Sequence, residues 1–269
     1  MTRGLDKKGT APLMPTIRYP FSPYCGAPPS VATLWTRWNL DPSLIVVLAA
    51  ILVAYVFAFR HNGRRLQLCY FGGWGIGALA LISPLCALSV SLFTARVGQH
   101  MILTLIVAPL MAMGLPRLRV GSFPADVLGA AAFALALWIW HAPGPYTATF
   151  ESTAVYWLMH VTTFGAALFF WMTILATPAS KMARAIALTL ATSLQMAFLG
   201  AVITFSSRPL YPPHAFTTQA WGLTALQDQQ LGGSLMWAPA GLIFLVAIVA
   251  PLAVVLRRAD GPAAGVAAR

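Results

Sequence analysis

The stretch GQHMILTLIVAPL, Gly98 to Leu110, decides what kind of protein this is. From Ile102 onward it is almost entirely apolar, and with its flanks it forms a run from about 92 to 115. A helix of about 20 apolar residues crosses a bilayer core of roughly 30 Å, so the run reads as a membrane span. Gln99, His100 and Met101 stand at its start, where an ordinary span would carry leucine. A polar side chain inside a bilayer is costly unless it faces the bundle interior and finds a partner, so this histidine needs a reason.

The rest of the chain repeats the pattern. Of 269 residues, 59% are hydrophobic and 9% charged, with a mean hydropathy of +0.75, far from the range of ordinary soluble domains. The expected class is an all-α integral membrane protein. Barrel strands would show short two-residue alternation instead. Seven spans can be drawn, at about 43–60, 66–86, 92–115, 125–141, 154–176, 182–205 and 230–256. Pro109 is tolerable within the third, because neighbouring groups can satisfy the carbonyl it frees. Gly72, Gly73, Gly75 and Gly77 in the second are expected to mark close helix packing, Gly73 and Gly77 having the small-xxx-small spacing. The chain thus divides into a proline-rich tail at 1–42, the transmembrane domain at 43–256 and a basic, Ala/Gly-containing tail at 257–269. Within the first tail, Val31, Leu34, Trp35 and Trp38 have the spacing of a short amphipathic helix at the membrane interface, or of a packing turn.

A net charge of +11 suggests nucleic acid in a soluble protein, but here the basic residues sit between spans and set orientation. Arg60, Arg64 and Arg65, then Arg117 and Arg119, then Lys181 and Arg184, and finally Arg257, Arg258 and Arg269 fall at alternate connections. Those ends are expected to be cytoplasmic. The opposite connections carry only Arg96 and Arg208, and Arg3, Lys7, Lys8 and Arg18 lie far from the first span. The amino terminus is therefore expected outside and the carboxyl terminus inside. Cys25, Cys69 and Cys86 are far apart and form no CxxC, which excludes a thioredoxin motif and a metallochaperone cysteine pair. Whether Cys25 and Cys86 pair is left open.

Orientation collects the histidines. His100 lies about 12 Å below the outer boundary at 1.5 Å per residue; His141 closes the fourth span at its outer end, and His160 lies in the first turns of the fifth. His214 belongs to the outer loop before the last span, and only His61 is on the inner side. His141 could be an interfacial anchor and His160 a satisfied core residue, but three histidines at similar depth on adjacent spans point to one shared site. Met101, Met159, Glu151, Met196, Asp228, Gln229, Gln230 and Met236 approach from the same side. Imidazole with thioether suits copper, thioether especially Cu(I), although methionine also fills cores. Asp228 could instead cap the last helix or orient a histidine.

Several segments carry a resemblance: WNLDP at the first span's entry, ISPLCALS leading into FTARVGQHMILTLIVAPLMAMGLP, then LWIWHAPGPYTATFES, YWLMHVTTFGAALFFWMTIL and LQDQQLGGSLMWAPAG. Over roughly residues 36 to 256 the sequence resembles the multi-spanning CtaG family of cytochrome c oxidase assembly factors. The resemblance implies a seven-span protein of the bacterial plasma membrane that matures a heme-copper oxidase, delivering or holding copper for an oxidase subunit or another copper-handling protein. The family's motif residues fall on His100, His141, His160, Asp228 and Gln229. Absent a clear thiolate ligand, the metal ligands expected are His100, His141 and His160, with Met101, His214, Asp228, Gln229 and Met236 as additional or supporting groups. No nucleophile-and-base constellation or phosphate loop is present, which agrees with a non-enzymatic role. Two other functions fit some of the residues. One is an electron carrier with heme b between two axial histidines; the other is a copper permease in the style of CopD, which would need polar groups continuing inward.

Overall fold

The computed structural model describes residues 19–115 and 122–259. The expectations for Arg3, Lys7, Lys8, Arg18, Arg117, Arg119 and Arg269 lie outside the described residues. The described residues are mostly helical, with no strand among them. Among the described residues, six helices are long and apolar enough to span a membrane: α1 (Pro42–Phe59), the segment Phe93–Gly114, α6 (Phe123–His141), α8 (Thr153–Ala176), α9 (Met182–Thr204) and α10 (Ala225–Ala259). A seventh is the pair α2 (Arg64–Ile82) and α3 (Leu85–Ser91), if the two count as one span bent by 50°.

The bend at the second span has a local cause. Pro84 cannot donate to the carbonyl four residues back, and Ser83 before it is extended, at φ −68° and ψ 170°. Every carbonyl left at the end of α2 is then accounted for. Ser83 N–H donates to Leu79 O, Gln99 Nε2 to Ala80 O at 2.7 Å, Asn39 Nδ2 to Leu81 O at 3.3 Å and Asn39 N–H to Ile82 O at 2.8 Å. Gln99 is therefore polar because it replaces the hydrogen bond that Pro84 removes.

The segment Phe93–Gly114 is not one regular helix. It runs as α4 (Phe93–Met101), a π-helical stretch (Ile102–Val107) and α5 (Ala108–Gly114). Pro109 lacks a donor, and the wider π turn ahead of it accommodates the lost bond. Trp171 Nε1 donates to Thr104 O at 2.8 Å within this stretch. The π turn begins two residues after His100.

Gly73 and Gly77 do mark a close approach: a Cβ at Gly73 would lie 3.0 Å from Leu110 Cβ, and one at Gly77 would lie 3.2 Å from Val107 Cγ1. The expectation is corrected for Gly72 and Gly75, where nothing lies within 4 Å; they fall on another face of α2. Two short helices escaped the hydropathy reading, α3 and α7 (Pro143–Glu151). Proline begins α7, and extended Ala142 separates it from α6. Of the two readings of Val31 to Trp38, amphipathic helix or packing turn, the segment forms a turn, the 3₁₀ stretch Leu34–Thr36, with Trp35 and Trp38 exposed. Hydroxyls there compete for the backbone, Ser30 N–H donating to Thr33 Oγ1 and Thr36 Oγ1 to Thr33 O.

One end of the bundle is roofed. Residues 19–41 lie across it, with Ser22 N–H donating to Phe150 O and a disulfide joining Cys25 to Cys86. The loop between α9 and α10 covers the same end through the 3₁₀ turns Pro212–Phe216 and Thr218–Trp221, held by Thr217 Oγ1 on Ser91 O and Tyr211 Oη on His141 O. At the opposite end Arg184 pairs with buried Asp126 at 2.6 Å, and Tyr55 Oη and Asn62 Nδ2 both donate to Gly114 O.

Candidate functional site

His100 on α4, His141 at the end of α6 and His160 in the second turn of α8 are all buried beneath the roofed end. The ring of His100 stands perpendicular to both others, with centroids 5.3 Å from His160 and 6.3 Å from His141. A ring centroid sits roughly 3 Å from an ion held at one of its nitrogens, so two rings sharing an ion have centroids about 5 to 6 Å apart. The spacing fits a shared ion. Among the described residues, however, no group of three or more His, Cys, Asp and Glu side chains is arranged to hold a metal. The arrangement is a close pair, His100 and His160, with His141 alongside.

Helix geometry sets the tautomers. His160 Nδ1 is 3.0 Å from Tyr156 O and His141 Nδ1 is 2.8 Å from Leu137 O, each one turn back along its own helix. A carbonyl only accepts, so both Nδ1 atoms carry the proton and both Nε2 atoms keep a lone pair. The Nε2 atoms of His100 and His160 are buried and have no hydrogen-bond partner. Between these two rings lies a cavity of about 10 Å³, lined also by Leu103, Thr104, Thr163 and Phe164. An imidazole fixed by a backbone carbonyl at His160, and a second buried imidazole at His100 lining the same small cavity, are a competent ligand pair for a soft or borderline cation.

Other expected groups are engaged elsewhere. Asp228 accepts from Phe93 N–H at 2.6 Å and Thr94 N–H at 3.1 Å. It thereby caps α4 from a different helix rather than its own, and so fixes the element that carries His100. Gln229 accepts from Leu210 N–H and donates to Ile203 O and Arg208 O, pinning the loop after α9. His214 is hydrogen-bonded to Tyr146 Oη at 2.6 Å. Burial in this covering loop, helped by the charge of Arg96, pushes the His214 imidazole down to about 3. Met101, Met196 and Met236 pack in the main apolar cluster.

Arg96 is the residue that charge counting misplaced. It belongs to α4 rather than to a connection and is only 2% exposed. Its guanidinium lies 4.4 Å from the centroid of Phe150, 5.1 Å from Tyr146 and 5.6 Å from Tyr156. Nη2 donates to Thr149 Oγ1 at 2.7 Å and approaches Met159 Sδ at 3.8 Å. Its position four residues before His100 was the signal available in the sequence, since i and i+4 share a helix face. Tyr156 links the parts. Its ring lies 4.3 Å from that of His160, and its hydroxyl points to the sulfurs of Cys25 and Cys86, at 3.5 and 3.8 Å.

A family model for the cytochrome c oxidase caa3 assembly factor, Caa3_CtaG, matches residues 52–258, which include all the residues of this site except Cys25. No curated protein and no solved structure matches the chain.

Proposed function

The chain belongs to the cytochrome c oxidase caa3 assembly factor family, and from that premise we propose that it holds copper for a heme-copper oxidase at the His100–His160 pair. The observation that carries this reading is the pair of buried, unpartnered Nε2 atoms beside one small cavity. A buried polar nitrogen without a partner is costly, and a metal ion is a partner that the His160 Nε2 lone pair and a His100 tautomer with its lone pair on Nε2 can share. His141, at 6.3 Å from His100 by ring centroids, serves as a third ligand or a transfer position.

Copper is cargo here, passed by ligand exchange to an oxidase subunit or another copper-handling protein, so the protein acts without covalent catalysis. A heme b between axial histidines would require a porphyrin slot between two of them; the space that His100 and His160 share is about 10 Å³, and the larger cavity of about 200 Å³ beside His160 is lined by no second histidine, which favours a single ion. A permease would need ligands continuing through the bundle. Beyond the histidines the core is mainly apolar, with Leu105, Ala108, Ala112, Phe133, Ala167 and Phe170, and its buried polar groups are threonine hydroxyls such as Thr173 and Thr189 and, at the far end, Asp126 paired with Arg184, which favours holding over transport.

The roofed end faces outward from a bacterial plasma membrane in this reading, with the amino terminus outside and the carboxyl terminus inside. Two independent features support it. Arg60, Arg64, Arg65, Lys181 and Arg184 gather at the opposite end, as the positive-inside rule requires of a cytoplasmic face. The Cys25–Cys86 disulfide lies at the roofed end, and disulfides persist in oxidising compartments.

The test is metal analysis and an absorption spectrum of purified protein, wild type beside a His100→Ala, His141→Ala, His160→Ala triple variant, after Cu(I) loading. Copper near one per chain in the wild type and none in the variant is expected. A Soret band, or equal copper in both, contradicts the assignment.

A further inference from the structure

We infer that Arg96 makes the histidine site selective for Cu(I) over Cu(II) by holding a permanent, un-neutralised positive charge beside it; the inference rests on the copper reading above. Arg96 and His100 lie on one face of α4, four residues apart. Through the ring of Tyr156, 5.6 Å from the guanidinium and 4.3 Å from the ring of His160, the charge is less than about 10 Å from His160. No carboxylate lies within ion-pair distance of Arg96 among the described residues, where the ion pair is Arg184–Asp126 at the other end of the bundle.

The surroundings stabilise the cation without cancelling it. Tyr146, Phe150 and Tyr156 present ring faces, which attract a cation through their quadrupoles. Thr149 and Met159 accept from Nη2 as neutral groups. None carries net charge, so the groups that touch the guanidinium leave its charge uncancelled beside the histidines, whose imidazoles are themselves neutral ligands. Asp228, the acid that braces α4, is committed to the N–H groups of Phe93 and Thr94. An ion of charge z feels this field in proportion to z. If the field weakens Cu(I) binding by some factor, it weakens Cu(II) binding by the square of that factor. At an effective dielectric of about 20 and a separation of about 10 Å, the factor is on the order of tenfold.

Two variants remove the charge in different ways. Arg96→Met deletes it; Thr149→Asp leaves the guanidinium and its ring contacts in place and pairs it with a carboxylate at the position that Thr149 Oγ1 now holds. Arg96→Lys keeps the charge and loses the fork. Cu(I) and Cu(II) affinities are measured by chelator competition on each purified full-length protein, and the midpoint potential of bound copper is read by redox titration. In Arg96→Met and Thr149→Asp the ratio of Cu(II) to Cu(I) affinity is expected to rise about tenfold, lowering the potential by about 59 mV for a one-electron couple. Arg96→Lys should keep the wild-type ratio. Thr149→Asp decides the matter if Arg96→Met does not fold. Histidine-dependent copper binding with an unchanged ratio in the charge-cancelled protein overturns the role of Arg96. Copper binding that survives loss of His100 and His160 overturns the copper reading itself, and this inference with it.

Discussion

Helix α1 and the segment Phe93–Gly114 are both membrane spans, yet they differ in nearly everything else. α1 has a mean hydropathy of 2.6 and is 11% buried; Phe93–Gly114 has 1.6 and is 67% buried. In water the more apolar helix would be the inner one. In a bilayer the lipid is as apolar as leucine, so a span that is greasy on all sides gains little by moving inward. The span that must be surrounded by protein is the one carrying Arg96, Gln99 and His100. Each of those polar groups has a structural or chemical reason: Gln99 closes the break at Pro84, Arg96 sits in its aromatic cage, and His100 faces His160.

That contrast can be broken at the central span first. Gly232 on α10 lies where an added Cβ would meet the ring of Phe93 and, at 3.3 Å, Thr94 Cα. Gly232→Val is expected to abolish folding, so that detergent size-exclusion shows no monodisperse peak; a well-folded variant would mean the central packing is looser than described. Next comes the cap. Asp228→Ala leaves the N–H groups of Phe93 and Thr94 without acceptors and should cost about 1–3 kcal/mol in detergent unfolding; an unchanged transition would show that the capping carries no weight.

A smaller effect comes from pH. The His214 imidazole is held at about 3 in the fold against about 6.5 for an unfolded chain. Between those values the unfolded chain takes up a proton that the folded one refuses. The contribution of His214 to stability is therefore fully present above pH about 6.5 and is lost as pH falls toward 3. His214→Gln should reduce the pH slope of stability by about one proton in that window, and an identical slope in both proteins would refute the shift. At the lipid-facing extreme, Val53 on α1 is 51% exposed. Val53→Ala should change stability by less than about 0.5 kcal/mol, and a loss comparable with that of Asp228→Ala would erase the distinction between the two helices.

Hydropathy located the long helices to within a few residues, except α10, which begins at Ala225 rather than about 230, because a span is a composition signal summed over about 20 residues. The same summing hides α3 and α7, which have 7 and 9 residues. His100, His141 and His160 were legible because their depth along three helices follows from counting residues. The cap by Asp228 on Phe93 spans 135 residues, and the Cys25–Cys86 pairing spans 61; neither has a local pattern to read. Arg96 was visible but was assigned to a connection, because orientation rules treat every arginine as solvent-facing. Only the ring faces of Tyr146, Phe150 and Tyr156, brought in by α7 and α8, explain how it can be buried.

The central claim is that buried imidazoles, and not sulfur, hold the ion. Copper K-edge X-ray absorption on the Cu(I)-loaded, full-length protein tests it most directly. The account predicts a first shell of two or three nitrogen scatterers with the outer-shell pattern of imidazole and no sulfur, lost in His100→Ala. A shell dominated by sulfur, unchanged in that variant, would contradict it and move the ion from the histidines to the methionines.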